Sequence, residues 1–295
     1  MATSQKEIKI SFILRRRMRQ KESKSSLSPY SRRKFHLIRN VCALAKFLMI
    51  LFISIHVLAG PLMASQEVAI LRPIDFAGEE LHFDLKWQSI PAGKAVLKAV
   101  DNGDGTVTYI LTAKSLAYID FFYPVRIKIE STVNGETGEV FRYYKHAKEG
   151  WGKARVREVM FDPKKGIAKR VSLGKTVKTL HVPQGVQDPL SALYLYRIMA
   201  SQGMKEFTAY ITDGKRVIKS VVPALNQKEI ETPAGRFKCV LLQPTMEGVG
   251  GLFTKSKGAK VKVWMSQNQW RIPVKLKSKV KIGHFVGILT KIIGH

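Results

Sequence analysis

The chain has 295 residues, with 50 Lys+Arg against 22 Asp+Glu and a formal net charge of +28. Its two cysteines, one of them in the N-terminal leader, exclude a disulfide-stapled scaffold, so stability must come from a hydrophobic core, which this length permits. So basic a chain favours anionic partners: lipid headgroups, lipopolysaccharide phosphates or acidic polysaccharide.

The first 64 residues read as an export segment. A basic leader carries Arg15-Arg16-Arg17 and Ser31-Arg32-Arg33-Lys34-Phe35. The apolar run Phe47-Leu-Met-Ile-Leu-Phe-Ile-Ser-Ile55 follows and ends at Leu62-Met63-Ala64. Positive charge, a short greasy stretch and then small residues is the order of a signal peptide. A membrane-spanning helix needs about 20 apolar residues, and Gly60-Pro61 interrupts this one. A cleaved signal with its cut after Ala64 is therefore expected, with Ala59 as the second cleavage option. The alternative is an uncleaved inner-membrane anchor through residues 47–64. Ser31-Arg32-Arg33-Lys34-Phe35 is similar to the twin-arginine export motif, but His36 takes a position that is usually hydrophobic, which favours an ordinary basic n-region. Residues 1–17 exceed what export needs, and Met18 stands as an alternative start. An exported chain works in the periplasm or facing the outer membrane, where nucleic acid is not an expected partner.

The leader contributes +11 of the net charge, and residues 65–295 keep +17. Over these 231 residues the dominant signal is alternation. Leu81, Phe83, Leu85 and Trp87 sit two apart; Val125, Ile127 and Ile129 alternate with Arg126, Lys128 and Glu130; Val274, Leu276, Val280 and Ile282 alternate with Lys275, Lys277, Lys279 and Lys281. Period two places apolar side chains on one face of an antiparallel sheet. Turn signals fall at Asp101-Asn-Gly-Asp-Gly105, Asn134-Gly135, Asp162-Pro163, Asp213-Gly214 and Pro233-Ala-Gly235. About a dozen short strands in a curved sheet, an open half-barrel or a sandwich are predicted. One helix interrupts them near 188–201: Asp188 can cap it, Pro189 suits its first turn, and its apolar residues run nearly all round, which predicts burial. The expected organisation is one β-rich domain over 65–295, with subdomains of about 66–186 and 203–295 joined by this helix.

No chemistry-bearing motif appears. The histidines His82, His146, His181, His284 and His295 lack metal-ligand spacing, and there is no HExxH, CxxC or GxSxG. Asp101–Gly105 reads as a hairpin turn rather than a calcium loop. Gly248–Ser256 lacks the Gly that a phosphate loop needs before Lys-Ser, and reads as a Gly-rich loop or lid. Cys239 beside Val240-Leu241-Leu242 reads as a buried, inert thiol. No catalytic residue, metal or cofactor is assigned, and the reading is non-catalytic.

Two constellations are left as candidate ligand-binding sites. The first is the lysine comb Lys275, Lys277, Lys279 and Lys281, joined by Lys260 and Lys262 on a neighbouring strand. It reads either as a solvated face that discourages edge aggregation or as a basic track for anionic headgroups. The second is Tyr118-Ile-Asp-Phe-Phe-Tyr-Pro124, with Phe121, Phe122 and Tyr123 at its centre. It either plugs one end of the β core or presents aromatic rings to a cavity mouth or a membrane interface.

Four segments resemble a family of exported bacterial proteins, domain of unknown function 3108: Gly78-Glu-Glu-Leu-His-Phe-Asp-Leu-Lys-Trp87 with Ile90-Pro-Ala-Gly93; Gln187-Asp-Pro-Leu-Ser-Ala-Leu-Tyr194; Thr232-Pro-Ala-Gly-Arg-Phe-Lys-Cys239; and Val263-Trp-Met-Ser266 with Arg271-Ile-Pro-Val274. The resemblance spans about 75–293 and implies a periplasmic or envelope-facing protein, with no catalytic residue carried over. The closing pattern is also similar to that of periplasmic half-barrel lipoprotein carriers, which hold acyl chains in a concave β surface. Composition, location and resemblance together lead to the expectation of a protein that binds an amphipathic or anionic envelope ligand, lipid or lipopolysaccharide. A scaffold or assembly factor for envelope proteins, soluble or anchored, is the alternative.

Overall fold

A computed structural model of the protein describes residues 71–245, 261–279 and 283–294. The leader, Lys260, Lys281, Val280, Ile282 and the Gly248–Ser256 loop lie outside the described residues, as does the side chain of Lys279.

The strands predicted from alternation form one antiparallel sheet. Fourteen are present among the described residues, in the spatial order β8-β7-β6-β5-β4-β3-β2-β1-β14-β13-β12-β11-β10-β9. The first meander comprises β1 (Glu80–Trp87), β2 (Ile90–Asp101), β3 (Thr106–Ser115), β4 (Val125–Asn134), β5 (Val140–Glu149), β6 (Arg155–Asp162), β7 (Ile167–Ser172) and β8 (Lys175–His181). The second comprises β9 (Glu206–Thr212), β10 (Val217–Thr232), β11 (Gly235–Leu242), β12 (Val261–Ser266), β13 (Pro273–Lys279) and β14 (His284–Ile293). The last strand returns to pair with the first, β14 against β1. The sheet does not close into a barrel: β8 and β9 are its two ends. All five predicted turn signals fall between consecutive strands.

A one-turn helix, α1 (Ala117–Asp120), lies between β3 and β4; the predicted long helix is α2 (Ser191–Ser201), between β8 and β9. α2 starts a turn later than Asp188, yet Asp188 still caps it: one carboxylate oxygen accepts from Leu190 N at 2.7 Å and Ser191 N at 3.1 Å. Its other oxygen accepts from the Ser131 hydroxyl on β4. Burial pushes the Asp188 carboxyl above its ordinary range, with these hydrogen bonds pulling the other way.

Alternation sorts the side chains. Leu81, Leu97, Leu111 and Ile129 are successive register partners across β1 to β4 and point inward, as do Tyr109, Ser131, Tyr143 and Val159 across β3 to β6. Leu190 and Tyr194 of α2 join this core, while Ala192 and Tyr196 pack with Phe207, Ile211, Val263 and Met265 of the second meander. The helix is thus apolar nearly all round because sheet covers it on both sides. Each buried large apolar side chain contributes about 1.5–3 kcal/mol.

One buried ion pair ties these parts together. Arg197 and Glu79 are both fully buried, in a two-pronged contact with both N–O distances at 2.5 Å. Arg197 Nε and Nη2 also donate to the Trp270 carbonyl in the β12–β13 turn, at 3.2 and 3.0 Å. The guanidinium lies 4.1 Å from the centre of the Phe76 ring and 5.0 Å from that of Tyr194, and Tyr194 stacks flat on Tyr109 at 3.5 Å. Removing one member of a buried pair strands the other charge. Arg197→Ala or Glu79→Ala should therefore each cost about 3–5 kcal/mol in denaturant unfolding, and the double variant Glu79→Ala/Arg197→Ala should cost clearly less than their sum. Additive losses in that cycle would show that the two residues act independently.

Candidate functional site

The face of the sheet turned away from α2 is basic. Arg126 and Lys128 alternate with the inward Ile127 and Ile129, and Lys275 and Lys277 with Val274, Leu276 and Ser278. Register then lines the cations up from strand to strand. Lys94 on β2 is opposite Lys114 on β3, Lys114 opposite Arg126 on β4, and Arg126 opposite Lys148 on β5. Four exposed cations stand side by side over roughly 15 Å, three strand spacings. Like charges directly opposite one another across a sheet are destabilising, so this row favours whatever anion sits on it. Val96 and Thr112 floor an open trough beside the row, edged by Lys94, Lys114, Arg126 and Lys128.

The lysine comb lies on the same face and in the same row. Lys275 is opposite Ile288, Ile288 opposite Asp84, and Asp84 opposite Lys94. Lys262 is on the neighbouring strand, as the sequence reading expected, and it is the register partner of Lys277. Lys275 reaches over the Trp264 ring, 5.5 Å from its centre. Partial burial lowers the Lys275 ammonium from its ordinary value, with Lys228, Lys277 and Lys86 adding to the shift by repulsion. Lys279 falls on β13, while Lys260 and Lys281 lie outside the described residues.

The aromatic segment does not plug the core. Phe121 is 77% and Phe122 72% exposed, and Tyr118 and Tyr123 are each about half exposed. A plug would need apolar surface to sit on, but α2, Phe76 and Tyr194 already fill the concave side. The loop is nonetheless held in place. Arg126 donates to both Asp120 oxygens, at 2.9 and 2.5 Å, and the Ser115 hydroxyl donates to the same carboxylate. Tyr123 lies on Gly150, where a Cβ would come within 2.7 Å of the ring and where φ is +72°. Only glycine suits that position. The Tyr118 hydroxyl donates to the Pro91 carbonyl.

The other sequence candidates are quiet. Cys239 is buried, and burial pushes its thiol up to about 11, away from nucleophilic use. Among the described residues no group of three or more His, Cys, Asp or Glu is placed to hold a metal ion, and no helix is long and apolar enough to cross a membrane. Sequence reasoning missed the Lys94–Lys114–Arg126–Lys148 row. The signal that could have found it is the hairpin register, counted outward from each turn.

Fold and face together define an open, barrel-like antiparallel β protein with a charged outer surface. The chain belongs to the DUF3108 family, described as a protein of unknown function, whose model matches residues 82–290. In structure it is similar to a crystallised beta-barrel-like protein of the domain of unknown function DUF1849 from Brucella abortus, with a TM-score of 0.53 and 14% identity over 75% of this chain and 99% of that one. That likeness is one of fold. A candidate lipoprotein from Parabacteroides distasonis matches at a TM-score of 0.30 and 9% identity, over 73% of this chain and 95% of that one. No curated protein matches the chain.

The Asp120 clamp carries a pH dependence. The hydrogen bond from Arg126, followed by that from Ser115, holds the Asp120 carboxyl down at about 2, against an ordinary 3.8. The folded value is the lower one, so the clamp's stabilisation is complete above about pH 4 and is lost as pH falls through about 2. Near-ultraviolet circular dichroism of the loop tyrosines should change over that window, and Asp120→Asn should abolish the step.

Proposed function

We propose that this is an exported, non-catalytic envelope protein that holds an anionic, amphipathic ligand, lipid or lipopolysaccharide, on the outer face of its sheet. The observation that carries the reading is the register-aligned row Lys94–Lys114–Arg126–Lys148, continued across Asp84 and Ile288 to Lys275. Among the described residues, Arg126 is the one of these five cations that is ion-paired with a carboxylate, Asp120. Spaced cations on a rigid sheet match the repeated phosphates of a headgroup layer. Two apolar residues, Val96 beside the row and Ile288 within it, offer contact to the first methylenes of a ligand. The leader's charge and hydropathy pattern supports delivery of the chain to the compartment where such ligands are found. The concave side is not the place for the acyl chains of this reading, because α2 occupies it.

A scaffold reading is favoured by one feature, the β8 end of the sheet. Its strand is exposed along nearly its whole length, Val177 included, and a partner strand could extend the sheet there.

Charge reversal separates the two. Near an anionic surface each Lys is worth about 1 kcal/mol, so Lys94→Glu/Lys114→Glu should weaken binding to phosphatidylglycerol vesicles or lipopolysaccharide at least about thirtyfold. Lys275→Glu/Lys277→Glu should do the same. Unchanged binding in both variants would reduce the face to a solvated surface and leave the β8 edge as the better candidate.

A further inference from the structure

The two ends of the first meander differ in kind. In an antiparallel meander alternate turns lie at the same end. The β1–β2, β3–β4, β5–β6 and β7–β8 turns therefore share one end and carry Ile90, Tyr118, Phe121, Phe122, Tyr123, Trp151 and Leu173. All seven are exposed, Trp151 at 73% and Leu173 fully. The turns at the opposite end are polar and carry no aromatic side chain: β2–β3 brings Asp101 and Asp104, β4–β5 brings Glu136 and Glu139, and β6–β7 brings Lys164 and Lys165.

We infer that the aromatic end docks on the surface of an anionic bilayer, with Phe121, Phe122 and Trp151 at headgroup depth and the cationic row directly behind them. This rests on the reading of the outer face as an anion-binding surface. Charge placement commits the occupant to a membrane. Lys114, Arg126 and Lys148 are each one residue in from their strand ends, roughly 3 Å of rise from the turns. They therefore lie within the Debye length of about 8 Å at physiological salt. Lys153 adds exposed charge on the β5–β6 loop itself, and Arg155 adds it at the first position of β6. Aromatic rings backed by cations are the side chains that settle at a membrane interface, and the turns at the other end have the charges without the rings. The tips are preset: the Asp120–Arg126–Ser115 clamp and the Tyr123–Gly150 contact hold the loop, so docking orders little further chain. Phe121 and Phe122 meet edge to face at 5.0 Å and present a single wedge.

The test uses the full chain on vesicles of phosphatidylcholine, with and without phosphatidylglycerol, whose tails are brominated. The wild type minus Trp151→Phe difference isolates the emission of Trp151 from that of Trp87, Trp264 and Trp270. Trp151 emission should shift to the blue and be quenched on anionic vesicles but not on phosphatidylcholine alone. Phe121→Ser/Phe122→Ser, at exposed sites that do not threaten folding, should lower the affinity measured this way at least about tenfold. If the quenching is the same with Trp151→Phe, or if the double variant behaves as wild type, the docking is overturned. The readout is local, so it holds whether or not residues 47–64 also tether the chain. Calorimetry with a soluble polyanion, inositol hexakisphosphate, tells the two failures apart. Retained binding with a silent Trp151 overturns the docking alone, and loss of both overturns the basic-face reading with it.

Discussion

The architecture depends on the buried pairing of Arg197 with Glu79. Glu79 directly precedes β1, Arg197 is on α2, and the Trp270 carbonyl that shares the guanidinium belongs to the second meander. One side chain therefore joins the helix to both halves of a sheet that is otherwise continuous only through β1 and β14. The desolvation cost of such a pair is high and is offset only when its hydrogen bonds are met. Here Nε and both terminal nitrogens have oxygen partners, and two aromatic rings lie close to the guanidinium. A second buried carboxylate, Asp213, does similar work elsewhere, pairing with Arg157 to hold the β9–β10 turn against β6.

Anchoring α2 in the concavity has a consequence for function. A half-barrel with an empty inner face could hold an acyl chain; this one has Tyr194 stacked on Tyr109 where such a chain would lie. The outer surface is the one left open, and period-two patterning has sent the lysines and arginines there. Exposed cations are individually weak ligands. Register makes the difference, because Lys94, Lys114, Arg126 and Lys148 become nearest neighbours although they are spread over 55 positions of chain. The aromatic turns at one end and the polar turns at the other then give the sheet a direction as well as a charge.

What could be read from the sequence followed from how local each signal is. Strand alternation at Leu81–Trp87 and Val125–Glu130 is a property of adjacent residues, and the sheet carries it. Asp188 announced the cap of α2 because its hydrogen-bond partners are two and three residues on. Lys262 and Lys277 were matched because β12 and β13 are consecutive. The cationic row needed three registers at once, and Arg197–Glu79 spans 118 positions with no local mark. For Tyr118–Pro124 both plug and rim were consistent with composition. What decides between them is the prior occupation of the core by Phe76, Tyr194 and α2, which is a fact of packing. The fold class came from alternation and turn spacing; the family resemblance, carried by short segments, left the outer surface undefined, because an outer face is built from residues that packing does not constrain.

The proposal places ligand binding on the outer face and at the aromatic end. Hydrogen–deuterium exchange of the full chain with and without phosphatidylglycerol vesicles tests it most directly. Added protection is predicted at residues 116–124 and 150–154, with the opposite turns at 101–105 and 134–139 unchanged. Protection centred on α2, or confined to the β8 edge, would contradict it, pointing to an interior ligand in the first case and to a protein partner in the second.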